Sequence, residues 1–382
     1  MRLSNPVRFR VGIAALVMAA AGIVAPGHAQ TTGEAALRKL VAEAKKEPDV
    51  VTGRVTLALN PLVEKANALF NKRFGLNKTI QIVKGVDNTF TSKMMAAVDV
   101  GGKPELAFYA TNGGDMPHFV TGGYAAKIKD WEAILAEINP RVKSGAVKPG
   151  DVSPSGYAGY AFAHSNRLKG VGYNKNLISL KDLPRTYAEM ADSKYKGQYA
   201  VEPWTSHWEA LGYNYSPDKL DQFLGILDKI GKGTYVVSRS HQLIPRMSLG
   251  EFKFMTLNTE VVSKFLADNP GAPLDYYFMD DIVLVETTLV FLPPKGPAPA
   301  TAALWAMYLS HPDAQALRGP TAPNVLYGEQ KSDLEIRERL KGKKLWDWQI
   351  DPSATAYWKW INAKEQKPFR AKIRAAIRQR KR

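Results

Sequence analysis

Apolar and polar positions along this chain switch repeatedly between the helical period and the strand period. Residues 33–46 place Ala36, Leu37, Leu40, Val41 and Ala44 on one face of a helix. Val51 to Leu59 then reads as a strand ending at Asn60-Pro61. Leu62, Ala66, Leu69 and Phe70 return to helical spacing and close near Gly75. Ile80 to Val83 predicts a second strand that ends at Gly85-Val86-Asp87-Asn88, where Asn88 or Thr89 can cap a helix through Val100. Glu105 to Tyr109 predicts a third strand, closed by Thr111-Asn112-Gly113-Gly114. Such alternation argues for an open α/β sheet with crossover helices.

Residues 139–160 interrupt the pattern with Pro, Gly and Ser and read as a long surface excursion. Val171 to Asn174 is a short strand. Alternation resumes with Tyr199–Val201, a helix after Ser206, Thr234–Val237, a helix after Ser238, and Phe252–Leu257. Asp281 to Leu292 is apolar and β-branched, as a long strand crossing back would be. Residues 297–318 are helical with a break at Pro312.

The first segment has a different logic. Arg2, Arg8 and Arg10 precede an apolar run from Val11 to Ala25, and Gly27-His28-Ala29 supplies small residues before a break at Gln30. This is the layout of a cleavable secretory signal, and the run is short for a membrane span. A soluble, exported mature protein is expected, in a periplasm. The 382 residues exceed what one core ordinarily serves, so two lobes are expected. Zero cysteine excludes disulfide scaffolds, Cys-ligated zinc, iron–sulfur clusters and thiol catalysis. The net charge of +16 points at first to nucleic acid. Three of those charges lie in the signal and eight in the last sixteen residues, which leaves +5 on residues 30–366 and removes the nucleic-acid reading.

The order of these signals resembles the periplasmic solute-binding proteins of ABC importers, in the type II branch that takes iron, thiamine and polyamines. The resembling pieces are Val171-Gly172-Tyr173-Asn174-Lys175-Asn176-Leu177, Leu183-Pro184-Arg185-Thr186-Tyr187-Ala188-Glu189-Met190 and Ser193 to Ala200. Ser248-Leu249-Gly250-Glu251, Gly271-Ala272-Pro273-Leu274 and Lys295 through Gln315 follow in the family's order. The resemblance covers most of residues 50–320 and does not explain the tail beyond 330. It implies two α/β lobes joined by two hinge strands and closing on a ligand. The corresponding division is a signal at 1–29, a first lobe from 30–170 with a return at 282–330, a second lobe at 171–281, and a helical C-terminal extension at 331–382.

Open α/β sheets bind ligands beyond the carboxyl ends of their strands. Five strand-end loops are therefore candidates, supplying Asn60; Asp87, Asn88 and Thr89; Tyr109, Thr111 and Asn112; Trp204, Thr205, Ser206 and His207; and Ser238, Arg239 and Ser240. Hydroxyls ahead of helix N-termini, with Arg239 beside them, suit a carboxylate or phosphate. Trp204 and Tyr109 can form stacking walls, Trp204 in preference to Trp208. The resemblance raises a ferric alternative, whose family members carry adjacent tyrosines near the strand after the Gly-Glu landmark. Here that stretch, Phe252 to Glu260, has no tyrosine and offers Thr256, Asn258 and Thr259 to an organic ligand instead; Tyr276-Tyr277 falls too late. No metal and no cofactor is expected.

An enzyme on the same frame, a lyase or hydrolase, would need His207 or His241 as base beside a serine, with no third orienting group visible. No His-Glu-x-x-His, Gly-x-Ser-x-Gly or Walker A pattern occurs. The extension carries Trp346, Trp348, Tyr357, Trp358 and Trp360, expected to pack onto the first lobe. Residues 367–382 form a short basic amphipathic helix that could rest on anionic lipid or an acidic partner, or end as a solvated, fraying terminus; deleting it should leave small-ligand binding unchanged. The expectation is thus a monomeric, non-enzymatic periplasmic receptor that captures a small organic, anionic solute and delivers it to an inner-membrane ABC permease.

Overall fold

The computed structural model describes residues 27–55, 63–84, 87–112, 114–215, 219–318 and 323–378. The expected signal (residues 1–26 of it) and Asn60 lie outside them. The chain opens with α1 (Gly27–Lys46), β1 (Val50–Gly53), α2 (Val63–Phe74), β2 (Thr79–Ile82), α3 (Asp87–Asp99) and β3 (Tyr109–Asn112). The first two strands pair in parallel, as crossover helices require. β3 starts four residues later than the pattern predicts. The apolar run before it still bonds to β1, through Ala107 N–H to Thr52 O and Arg54 N–H to Phe108 O.

After α4 (Met116–Thr121) and α5 (Trp131–Ile138), the predicted excursion at 139–160 holds two short helices, α6 (Pro140–Lys143) and α7 (Pro149–Val152). Out of it runs β4, fourteen residues from Ala161 to Asn174. Only its last four were legible, because His164-Ser165-Asn166-Arg167 breaks the apolar signal of a strand buried on both faces. β4 pairs antiparallel with β9 (Val283–Phe291) over Ala161–Leu168, and with β7 (Phe254–Asn258) and β8 (Leu274–Tyr277) over Lys169–Asn174. It therefore belongs to both lobes, and the expected boundary at 170/171 falls inside one continuous strand.

The second lobe is built on β5 (Tyr199–Val201), α8 (Ser206–Asn214), α9 (Leu220–Gly233), β6 (Val236–Val237), α10 (Ser240–Ser248), β7 and α11 (Thr259–Asp268). β5 lies parallel to both β6 and β7. β9 returns the chain to the first lobe, where α12 (Pro299–Tyr308) and α13 (Pro312–Ala316) pack with Phe70, Phe74, Trp131 and Leu135. Glu47 accepts from the free N–H groups of Ala300 and Thr301 at the start of α12, both at 2.7 Å.

A third connection crosses the hinge. Residues 323–325 bond to β4 at Asn166, and α14 (Lys331–Leu340) lies on the second lobe, with Arg339 paired to Asp275 at 2.9 Å. β10 (Leu345–Asp347) then adds to β9 in parallel, followed by α15 (Ala354–Asn362) and α16 (Lys367–Arg378). Contrary to expectation, most of the extension packs onto the second lobe, while Gln349, Ile350 and the Trp358 ring reach the first. Trp346, Trp348, Tyr357, Ile361, Phe369, Ile373 and Ile377 are buried in one cluster with Tyr199, Trp208, Phe223 and Leu227 of the second. The apolar face of α16 is thus committed to α9 and is neither fraying nor open to lipid. Gly231 of α9 permits this approach, since a Cβ there would stand 2.0 Å from the Ala376 carbonyl oxygen.

Candidate functional site

Strand register alone brings the two lobes' strand ends into one band. Across β4 and β9, Ser165 faces Thr288, Asn166 faces Thr287 and Arg167 faces Glu286. β3 ends with Asn112 opposite Thr288, and β7 ends with Asn258 opposite Lys169. Because β5 and β6 run parallel to β7, their carboxyl ends at Glu202 and Ser238 point to the same level. The cleft that the strand-end rule requires therefore lies over residues 165–169 and 286–288.

Three helices begin at that band on the second lobe: α8 after Thr205, α10 after Arg239 and α11 after Asn258. None of these three preceding side chains caps its helix. Thr205 Oγ1 donates instead to Glu209 at 3.3 Å. The first-turn N–H groups keep their electropositive ends toward the hinge.

Beneath them lies a buried polar set. Lys169 Nζ stands 3.4 Å from Glu202 Oε2, both side chains being under 10% exposed, and Ser240 Oγ donates to the other Glu202 oxygen. At the edge of this set, half-exposed Arg167 meets Glu286 at 3.6 Å. Burial pushes the Glu260 carboxyl up to about 7, against the opposing pull of Arg167 and Lys169. Burial, with Lys169 second, holds the His207 imidazole well below its ordinary value, so it is neutral. Asn258 Oδ1, Thr259 Oγ1, Glu260 Oε2 and both His207 ring nitrogens are buried without a hydrogen-bond partner. Groups of this kind are costly unless something satisfies them.

The sequence candidates divide accordingly. Thr205, Ser206, His207, Ser238, Arg239, Ser240, Asn258 and Thr259 gather at the three helix starts. Trp204 is 48% exposed with the Arg239 guanidinium 5.6 Å over its ring, whereas Trp208 is fully buried. Ser238 and Ser240 are already committed, to Gln242 and Glu202. In the first lobe Thr111 is buried at the end of β3 and Thr89 is exposed in the first turn of α3. Asp87, Asn88 and Asn112 begin α3 and end β3, their side chains lying outside the described residues. Tyr109 is corrected: it is 2% exposed, stacks on Phe291 and accepts from Leu106 N–H, so it is core and not a cleft wall. Arg167, Lys169 and Glu260 were not singled out from sequence. Arg167 and Lys169 did carry a signal, two charges spaced to share one face of a strand.

Other arrangements fit less well. Tyr277 donates its hydroxyl to Pro184 O, and Tyr276 lies under the Arg339 guanidinium, so the late tyrosine pair is structural. Among the described residues, no three His, Asp or Glu side chains gather as metal ligands. His207 has no hydroxyl or carboxylate at its ring nitrogens to orient it as a base. A cavity of about 320 Å³ between α1 and α12 is lined by Lys39, Glu43, Glu47 and Ile128, away from the hinge. No described helix is long and apolar enough to cross a membrane.

Solved structures share this fold at low identity. Iron-bound HitA from Pseudomonas aeruginosa is 15% identical with a TM-score of 0.63, covering 83% of this chain and 100% of its own. The substrate-binding protein of an ABC transporter from Agrobacterium tumefaciens is 14% identical at 0.62, covering 86% and 95%. Spermidine/putrescine-binding PotD from Streptococcus pneumoniae is 13% identical at 0.58, covering 85% and 98%. No curated protein matches the sequence. The model of the bacterial extracellular solute-binding proteins matches residues 65–319, which hold both lobes and both hinge strands, and the chain belongs to that family.

Proposed function

We propose that this protein is an extracytoplasmic receptor of an ABC importer that captures a small organic anion between its lobes and delivers it to the inner-membrane permease. The observation that carries the ligand class is the convergence of three helix N-termini on a band of buried, unpartnered polar atoms. Lys169 with Glu202, and Arg167 with Glu286, cancel one another, and Glu260 is largely neutral below pH 7. What remains uncompensated is positive: the helix ends and Arg239. An anion bearing hydrogen-bond donors answers both features, its charge at the helix starts and its donors at Asn258 Oδ1 and Glu260 Oε2. Capture by binding alone, without turnover, fits the unoriented His207.

A thermal-shift screen of carboxylates, phosphonates, sugar phosphates, thiamine, polyamines and ferric citrate tests the reading. A ligand at a hundred times its Kd stabilises by about 2.7 kcal/mol, well within detection. Stabilisation by an organic anion is expected. A response to ferric citrate or polyamines alone would overturn the anion assignment.

A further inference from the structure

The family match covers residues 65–319, and a further part of the described chain runs on to residue 378. This part is anchored in the second lobe through Trp346, Trp348 and Tyr357. It then reaches across the hinge. Asp347 accepts from Thr287 Oγ1, and also from Gln349 N–H at 3.0 Å, which turns the chain toward the first lobe. Fully buried Gln349 receives the Gly114 N–H on its Oε1 at 3.0 Å. Ile350 packs into the first-lobe cluster of Tyr109, Phe119 and Phe291.

Trp358 completes the contact. Its Nε1 donates to Trp348 O at 3.0 Å, and the two indoles stack with centroids 5.5 Å apart. Its ring lies directly against Gly114, where a Cβ would stand only 2.2 Å away. Gly114 stands two residues beyond Asn112, at the first-lobe edge of the cleft. One segment thus holds the second lobe's core with one face and the first lobe's strand-end loop with the other.

We propose that Gln349 and Trp358 are positioning residues of the binding cleft: they clasp the loop after β3 to the second lobe and bias the free protein toward closure. Neither touches the ligand; they act through Gly114. The inference rests on the two-lobed reading and not on the ligand's identity. Apparent affinity scales with the closed fraction, so a clasp whose loss cuts that fraction tenfold weakens binding about tenfold.

The absence of cysteine allows a clean test. Val100, just past α3 in the first lobe, and Leu249, just past α10 in the second, are 83% and 88% exposed. Spin labels on V100C and L249C report the interlobe distance by double electron–electron resonance, with no ligand added. Trp358→Ala and, independently, Gly114→Ala should move the distribution to longer and broader distances, while Trp358→Phe stays near the parent. Gly114→Ala removes no atom of the indole cluster and perturbs it only at the contact with the loop, which separates the clasp from loss of that cluster's packing. Distributions that superimpose on the parent's for both variants would overturn the proposal.

Discussion

At the scale of single residues, the cleft floor is a set of buried charges whose removal is predictable in sign. Lys169→Met leaves the Glu202 carboxylate buried with Ser240 alone, and breaking such a pair from one side costs about 3–5 kcal/mol. Urea denaturation should show that loss. Lys169→Met with Glu202→Gln should recover most of it, because Ser240 keeps an acceptor and no charge is stranded. Glu260 gives a pH dependence. Its folded-state value is raised from 4.5 to about 7, so its protonated form is favoured in the fold, and its contribution is complete below 4.5 and lost as pH rises through 7. The slope from one such proton is at most about 1.4 kcal/mol per pH unit. His207 acts in the opposite sense, since a depressed imidazole loses stability as pH falls below 6.5. Glu260→Gln should therefore flatten only the decline between pH 5 and 7; denaturation series that stay parallel to the parent's would refute the assignment.

At the scale of elements, strand ends were legible where a hydroxyl or amide follows a β-branched run. The helices expected after Ser206 and Ser238 start at Ser206 and Ser240, and α11, not expected, starts at Thr259. Of β4 only residues 171–174 were legible, because its hinge residues are polar for reasons of the site while its backbone is held by β7, β8 and β9. Tyr109 was misassigned because β3 begins at that residue and does not end there, which leaves its ring in the core against Phe291. The C-terminal helix was the largest surprise. Its basic residues read as a surface tail, yet Phe369, Ile373 and Ile377 complete the second-lobe core, and Arg370 reaches Glu209 at 3.4 Å. Ile373→Ala should cost about 2–5 kcal/mol. Deleting residues 367–382, first expected to be neutral, should lower the melting temperature and weaken ligand binding, because α8, which starts at the cleft, packs against α9 and α16. A deletion with unchanged melting temperature would contradict the packing.

At the scale of the whole molecule, the charge that first drew attention has little to do with the site. Eleven of the sixteen charges fall in the expected export signal and the last sixteen residues, while the cleft's own excess is confined to Arg239 and the helix ends. Three connections cross between the lobes where two were expected, and the third continues into the segment that grips Gly114. Closure is then a bend around β4 and β9 whose range the extension sets. The central claim is capture of a small solute over the hinge band. Isothermal titration of the organic anion found in the screen, into the parent and into Asn258→Ala/Thr259→Val, tests it most directly. The account predicts saturable one-to-one binding to the parent and a loss of at least tenfold in the variant, which removes two hydrogen-bonding groups of about 1 kcal/mol each. Equal affinity in a folded variant would place the ligand elsewhere and contradict the account.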